Sequence, residues 1–404
     1  MSGETNIGVK PWMKAAETRA VMAALEAAGG ADCARFVGGC VRNAVIGRPV
    51  ADIDIATTLT PDRVTAALKA AGLKAVPTGV EFGTVTAVSG GKPFEITTLR
   101  RDVATDGRRA EVAFDAGWEE DAQRRDFTMN ALSLDAAGQV FDYVGGIRDA
   151  RSGRVRFVGD PAVRIQEDVL RLLRFYRFFA HYGKGAGDAA ARRACRAAVH
   201  LLPKLSAERI AAELMKLLEA PDPLPALRMM RTDGVLKALL PEARGLDRLR
   251  RLLVLEPAPS ANRRLAALIG RDAAPVAERL KFSGPRREWL TQLLARPALD
   301  LAAGRAAQRR ALYHYGADIF RDRVLLAAAA TGDGKRLKPL LVLARHWKPV
   351  RFPLKGRDLL THGVPAGIDM GKHLRDLEDW WQARDFKPSR AQCLAELKRR
   401  LAAT

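Results

Sequence analysis

Phe36-Val37-Gly38-Gly39-Cys40-Val41-Arg42-Asn43, followed by Asp52-Ile53-Asp54-Ile55, is the stretch on which the reading of this chain turns. Its first half reads as a short apolar strand, a turn with two residues lacking Cβ, and a helix entry that ends near Gly47. Backbone N–H groups at such a helix start can approach a phosphate closely, with Arg42 as a charge clamp. Its second half sets two carboxylates at i and i+2, which on a strand share a face, while Ile53 and Ile55 turn into the core. Two carboxylates so held, about 6 to 7 Å apart, bind hard cations such as Mg2+ between them. Such a pair beside a phosphate cradle suits phosphoryl transfer, in which two metals about 3.5 to 4 Å apart activate the attacking oxygen and steady the leaving pyrophosphate. Taken alone, Asp-x-Asp serves equally as a solvated turn or N-cap, and Gly-Gly before a helix is more often a plain turn. Their order, with Asp52 thirteen residues after Gly39, favours catalysis.

Working outward, 404 residues allow two or three domains. No sustained apolar run resembles a membrane span or a secretory signal, so a cytoplasmic protein is expected. Cys33, Cys40, Cys195 and Cys393 lack Cys-x-x-Cys spacing, and the six histidines form no His-x-x-x-His pair, which argues against a zinc site or a disulfide framework. The net charge of +21 is unevenly spread. Residues 1–150 hold 17 Lys/Arg against 20 Asp/Glu, whereas residues 151–404 hold 50 against 26. An acidic-leaning half thus carries the candidate metal site, and a basic half suits a polyanion, most simply nucleic acid.

Residues 12–30 have helical spacing, a second helix is expected at 61–71, and β-like runs fall at 34–37, 51–56, 83–89, 93–99, 131–134 and 139–142. This is an α+β domain. The polar segment between Arg100 and Phe114 reads as a mobile loop. From about residue 160 strand signals vanish, and Ala, Leu and Arg recur at helical spacing between prolines, so the remainder is expected to be all-helical.

Two further clusters carry polar chemistry. Arg124-Arg125-Asp126-Phe127-Thr128-Met129-Asn130-Ala131 crowds bases, a carboxylate and an amide together; Asp126 or Asn130 can hydrogen-bond ribose hydroxyls, or the segment is simply a capped helix start. A helix beginning near Asp160-Pro161 and running to Phe175 places Asp168 and Arg171 three residues apart on its surface. One carboxylate and one guanidinium there match the exocyclic amine and ring acceptor of cytosine and adenine and reject uracil and guanine. By spacing alone the better reading of the pair is an ordinary intrahelical salt bridge.

Gly38-Gly39-Cys40-Val41-Arg42, Asp52 to Thr57, Arg124 to Ala131, Asp142-Tyr143-Val144-Gly145-Gly146, Glu167-Asp168-Val169-Leu170-Arg171 and Ser206-Ala207-Glu208-Arg209-Ile210 together resemble the ordered motifs of the class II tRNA nucleotidyltransferase and bacterial poly(A) polymerase family. The likeness covers about residues 35–215, and Pro353 to Leu359 resembles the family's C-terminal region. It implies a palm-like nucleotidyltransferase head with a mixed β-sheet at 1–150, a helical neck for base recognition at 151–220, a body at 221–345 and a tail at 346–404 that holds tRNA by its acceptor and T arms. The same resemblance assigns Mg2+ to Asp52 and Asp54 and the triphosphate to Gly38, Gly39 and Arg42. Arg125, Asp126 and Asn130 would take the ribose and nearby phosphate. Asp168 and Arg171, with Arg174 on the same helix, would form a protein template that accepts CTP and then ATP. Glu95 is a further candidate carboxylate. Asn43 departs from the family, which usually has Asp there. Gly79 to Thr86 resembles the CCA-adding members, and the Arg-rich stretch of the poly(A) polymerases is missing, so the implied activity is CCA addition. The rivals are poly(A) synthesis and a catalytically silent RNA-binding protein on the same scaffold.

Overall fold

The computed structural model describes residues 5–106, 109–114 and 116–402, which form two compact units, Met1–Pro241 and Glu242–Thr404. The first unit is built on an eight-stranded mixed sheet. Ten short strands are assigned among the described residues: β1 (Thr5–Asn6), β2 (Ala34–Val37), β3 (Asp54–Thr57), β4 (Lys74–Gly79), β5 (Thr84–Ser89), β6 (Lys92–Thr98), β7 (Arg101–Asp106), β8 (Arg109–Ala113), β9 (Ser133–Leu134) and β10 (Gln139–Phe141). The sheet runs β1-β10-β9-β2-β3-β6-β5-β4. Only the central β3–β6 pair is parallel.

Period-two alternation decides which side is wet. Ile55, Phe94 and Ile96 are fully buried and join Leu25 of the helix Ala16–Gly29 and Leu68 of the helix Pro61–Ala70 in one apolar core. Burying each such side chain contributes about 1.5 to 3 kcal/mol, which fixes the register. Asp54 and Glu95 therefore emerge on the opposite face, away from the core.

Three expectations are corrected here. The strand expected over 51–56 begins at Asp54, because β2 ends at Val37, the residue that pairs with Asp54. Continued in the β3–β6 register, Asp52 would face Pro93, which has no N–H to donate. The segment expected as a loop after Arg100 is largely a hairpin, β7 pairing antiparallel with β8; residues 107, 108 and 115 of that segment lie outside the described residues. Its sequence is polar and charged, with no alternating apolar signal from which strands could be read. The edge strand β4 was not expected either; its residues are mostly half-buried or exposed, and the alternation is correspondingly faint.

After Phe141 no further strand is assigned among the described residues. An aromatic cluster of Phe127, Phe157, Phe175 and Phe178 ties the sheet domain to the first long helix, Leu170–Tyr182, with ring centroids 4.8 to 6.0 Å apart. The Asp142-to-Gly146 motif acts as a buttress. Asp142 accepts N–H bonds from Val144, Gly146 and Ile147, and Gly146 lies so close to the Thr128 carbonyl that a Cβ would sit 2.1 Å from it. The second unit is helical. Its cores form around Phe320 and Val324 and around Leu377 and Trp381, and it buries an ion cluster in which Arg263 and Arg264 bind Glu256 and Asp322 at 2.6 to 2.7 Å.

Candidate active site

β2 leads into a turn at Gly38, whose φ of +69° and ψ of −121° suit only glycine, and directly into the helix Gly39–Val45. No side chain caps that helix, so its first N–H groups are left for another acceptor. One turn in, Arg42 is 6% exposed and lies among side chains from two other segments and its own neighbour Asn43. Its Nη1 donates to Asn130 Oδ1 (2.6 Å), its Nη2 to the Tyr182 hydroxyl (2.6 Å), and Nε and Nη2 to Asn43 Oδ1 (3.2 and 3.1 Å).

At the start of β3, Asp54 stands opposite Glu95 across the parallel pair. Burial, then the charges of Glu95 and Asp52, push its pKa up to about 6, with Arg125 opposing. Asp52 is exposed and precedes the strand, so the two aspartates do not share a regular strand face; the field of Asp52 nevertheless reaches Asp54. A carboxylate whose proton affinity is raised by burial and by neighbouring negative charge is the electrostatic preparation for a cation. Among the described residues no three side chains form a ready metal cage. That donor set still suits Mg2+, which takes one or two carboxylates and completes its shell with water and substrate phosphate.

The cluster at 124–131 follows a helix end and includes a short 3-10 turn at Thr128–Asn130, so the alternative of a helix start at Arg124 to Asp126 does not hold. Trp118–Gln123 closes at Arg124, and its buried Asp121 binds both Arg124 (2.5 Å) and Arg125 (2.9 Å). Asp126 then accepts from Asn130 Nδ2 (3.1 Å) and from Arg174 Nε and Nη2 (2.7 and 2.5 Å). Although burial opposes it, Arg174 and the hydrogen bonds hold the Asp126 pKa below the usual carboxylate range. Asn43, Arg42, Asn130, Asp126 and Arg174 thus form one continuous relay.

The helix expected from residue 160 through 175 is broken. Pro161–Glu167 ends at Asp168, whose φ of −148° and ψ of 108° are extended, and a new helix starts at Leu170. Asp168 Oδ1 accepts from the Leu170 N–H at that start (3.0 Å). The break rules out the intrahelical salt bridge between Asp168 and Arg171, which do not lie on one helix. Asp168 is paired with Arg209 (2.9 Å), and Arg171 with Glu167. Arg171 also donates to the carbonyls of Arg164 (3.1 Å) and Arg124 (3.4 Å).

These parts enclose a cleft of about 780 Å³ within the first unit. Of the sequence-derived candidates, Gly38, Gly39, Arg42, Asp54, Arg125, Asp126, Asn130, Asp168, Arg171 and Arg174 line it; Asp52 and Glu95 are not among its lining residues. Its wall carries eight Lys/Arg and four Asp/Glu side chains, a balance suited to a polyanion. Sequence reasoning assigned no role to Arg177, Phe178, His181, Tyr182, Arg209 or Lys216, which also line it. A signal existed: counted from Arg174, positions 177, 178, 181 and 182 fall at i+3, i+4, i+7 and i+8, one helical stripe.

Residues 34–156 match the Poly A polymerase head domain, and residues 188–246 match the family described as "Probable RNA and SrmB- binding site of polymerase A". The zebrafish (Danio rerio) protein named CCA tRNA nucleotidyltransferase 1, mitochondrial, is 33% identical over 381 residues, covering 90% of this chain and 86% of its own. The chain belongs to the CCA tRNA nucleotidyltransferase family. A CCA-adding enzyme of Bacillus pumilus is 42% identical over 188 residues, 46% of each chain. The crystal structure of the Bacillus stearothermophilus CCA-adding enzyme in complex with CTP superposes with a TM-score of 0.81 at 27% identity, covering 98% of this chain and 99% of that one. The α+β head followed by helices is thus the fold of this family. No described helix is long and apolar enough to cross a membrane.

Proposed function

We propose that the protein adds C, C and A to the 3′ end of tRNA, using CTP and ATP without a nucleic-acid template. The observation that carries this reading is a single cleft joining an acidic strand end to a buried arginine and to a separately held Asp168 and Arg171. The uncapped helix start after Gly38, with Arg42 and Arg125, would cradle the triphosphate. Asp126 and Asn130, fixed by Arg174 and Arg42, would set the sugar, so that the α-phosphate faces the acidic edge. The tRNA 3′-hydroxyl would attack that phosphorus and expel pyrophosphate, twice with CTP and once with ATP. Bound at Asp52 and Asp54, with Glu95 beside them, Mg2+ would neutralise charge on the reacting phosphate and lower the pKa of the attacking hydroxyl.

Asp168 and Arg171 project from either side of the helix break, held by Glu167 and Arg209. Being held, they present fixed donors and an acceptor to a base edge, which supports selection of C and A by protein alone. Residues 151–220 would act as the base-reading neck, and 221–345 and 346–404 as the tRNA-holding body and tail. In support, the second unit carries 33 Lys/Arg against 17 Asp/Glu. A cytoplasmic setting belongs to the same proposal, although several relatives are named mitochondrial.

The test is incubation with tRNA lacking its 3′ end and each labelled triphosphate, singly and together. Products ending at CCA support the reading; long A tails refute it in favour of poly(A) synthesis, and CC alone shows a divided task. Asp52→Ala or Asp54→Ala should abolish incorporation while tRNA binding persists. Retained incorporation would remove the metal assignment.

A further inference from the structure

We propose that Asn43 is a positioning residue that holds Arg42 while leaving its charge unneutralised for the triphosphate, a refinement that rests on the nucleotidyltransferase reading above. The cleft arginines fall into two groups. Arg124, Arg125, Arg171, Arg174, Arg177 and Arg209 each pair with a protein carboxylate. Arg42 is held by two amide oxygens and a phenol, all neutral. The Tyr182 ring adds a face 3.9 Å from its guanidinium carbon. Burial accordingly depresses the Arg42 pKa from its ordinary value. A buried guanidinium without a carboxylate is costly, and an anionic ligand relieves that cost.

Asn43 makes this arrangement possible because its two ends differ. Oδ1 accepts from Arg42, and Nδ2 donates to the Pro49 carbonyl at 2.9 Å. A guanidinium only donates and a carbonyl only accepts, so the amide orientation is forced. An aspartate here would form an ion pair with Arg42 through one carboxylate oxygen and set the other against the Pro49 carbonyl. Arg42 would then resemble the other cleft arginines, bound to a protein anion before any ligand arrives. Aspartate is the usual residue in the resembled family, so Asn43→Asp should remain active; its expected effect is on affinity.

The experiment measures binding of inorganic triphosphate and of CTP to the full chain without tRNA, by titration calorimetry, for wild type, Asn43→Asp and Asn43→Ala, with thermal melts as a folding control. Steady-state KM and kcat for CTP follow on the same proteins. We expect Asn43→Asp to weaken both ligands about fivefold and to raise KM with kcat retained, while Asn43→Ala, which loses the Pro49 tie and two of the bonds to Arg42 but adds no charge and leaves Arg42 held by Asn130 and Tyr182, weakens them less than twofold. Equal affinities for wild type and Asn43→Asp overturn the inference. So does an Asn43→Ala protein as weak as Asn43→Asp, because the effect is then structural. A wild-type chain that binds neither ligand overturns the nucleotidyltransferase reading itself, a result distinct from both.

Discussion

Cation binding at the acidic strand end should depend steeply on pH around 6, because Asp54 must lose its proton first. Its pKa is raised from 3.8 to about 6 by burial, Glu95 and Asp52. The sign follows from linkage: the folded chain binds this proton more tightly than the unfolded one. Ligand-free stability should therefore fall as pH rises from about 4 to about 6, by about 3 kcal/mol in all. A divalent cation competes with the proton and reverses that loss. At pH 5 only about a tenth of Asp54 is ionised and at pH 7 about nine-tenths, so cation affinity should rise about tenfold across that range. An unshifted aspartate would change it by less than about a tenth. The assay is Mn2+ binding to the full chain, followed by electron paramagnetic resonance at pH 5, 6 and 7. Glu95→Gln, which removes one neighbouring charge, should move the midpoint to lower pH. Affinity that is flat from pH 5 to 7, or a midpoint unmoved by Glu95→Gln, would refute the coupled-carboxylate account.

Arg209→Ala should leave Asp168 without its partner and blur the choice among the four triphosphates, measured as relative kcat/KM; because the pair is partly exposed, the stability cost should stay below about 1 kcal/mol. Arg171→Ala should do the same more strongly, and unchanged selectivity would return Arg171 to a purely structural partner of Glu167. Gly38→Ala forces a side chain onto φ +69° and 3.5 Å from Arg125 Nη1; it should cost about 1 to 3 kcal/mol in a denaturant melt and weaken triphosphate binding. Asp233→Ala, remote from the cleft, removes the buried partner of Tyr176, Arg192 and Arg196 and should destabilise the first unit by about 3 to 5 kcal/mol, with nucleotide KM unchanged at permissive temperature.

The residue pattern by itself determined the secondary-structure classes of the two halves, the glycine turn before Arg42 and the basic character of the C-terminal half. Each rests on local chemistry: alternation around Ile55 and Ile96, a positive φ at Gly38, and charge that can be counted. Ten of the twelve candidate site residues line one cleft, since motifs separated in the chain converge on the ends of β2 and β3 and on one helical stripe. What the sequence could not decide were pairings between distant segments. Asp168 and Arg171 are three residues apart, and local spacing made them partners. The helix break instead gives Asp168 to Arg209, forty-one residues on, and Arg171 to Glu167. Asp52 and Asp54 looked equivalent, yet only Asp54 has strand neighbours on both sides, and its proton affinity rises with the burial they impose. Asn43 seemed a minor departure. Only the folded chain, by bringing Asn130 and Tyr182 to the Arg42 guanidinium and the Pro49 carbonyl to the Asn43 amide, leaves that positive charge without a carboxylate in the cleft. Backbone preference acts over a few residues and is written in the sequence; electrostatic partnership acts through space, and only packing selects which charges meet.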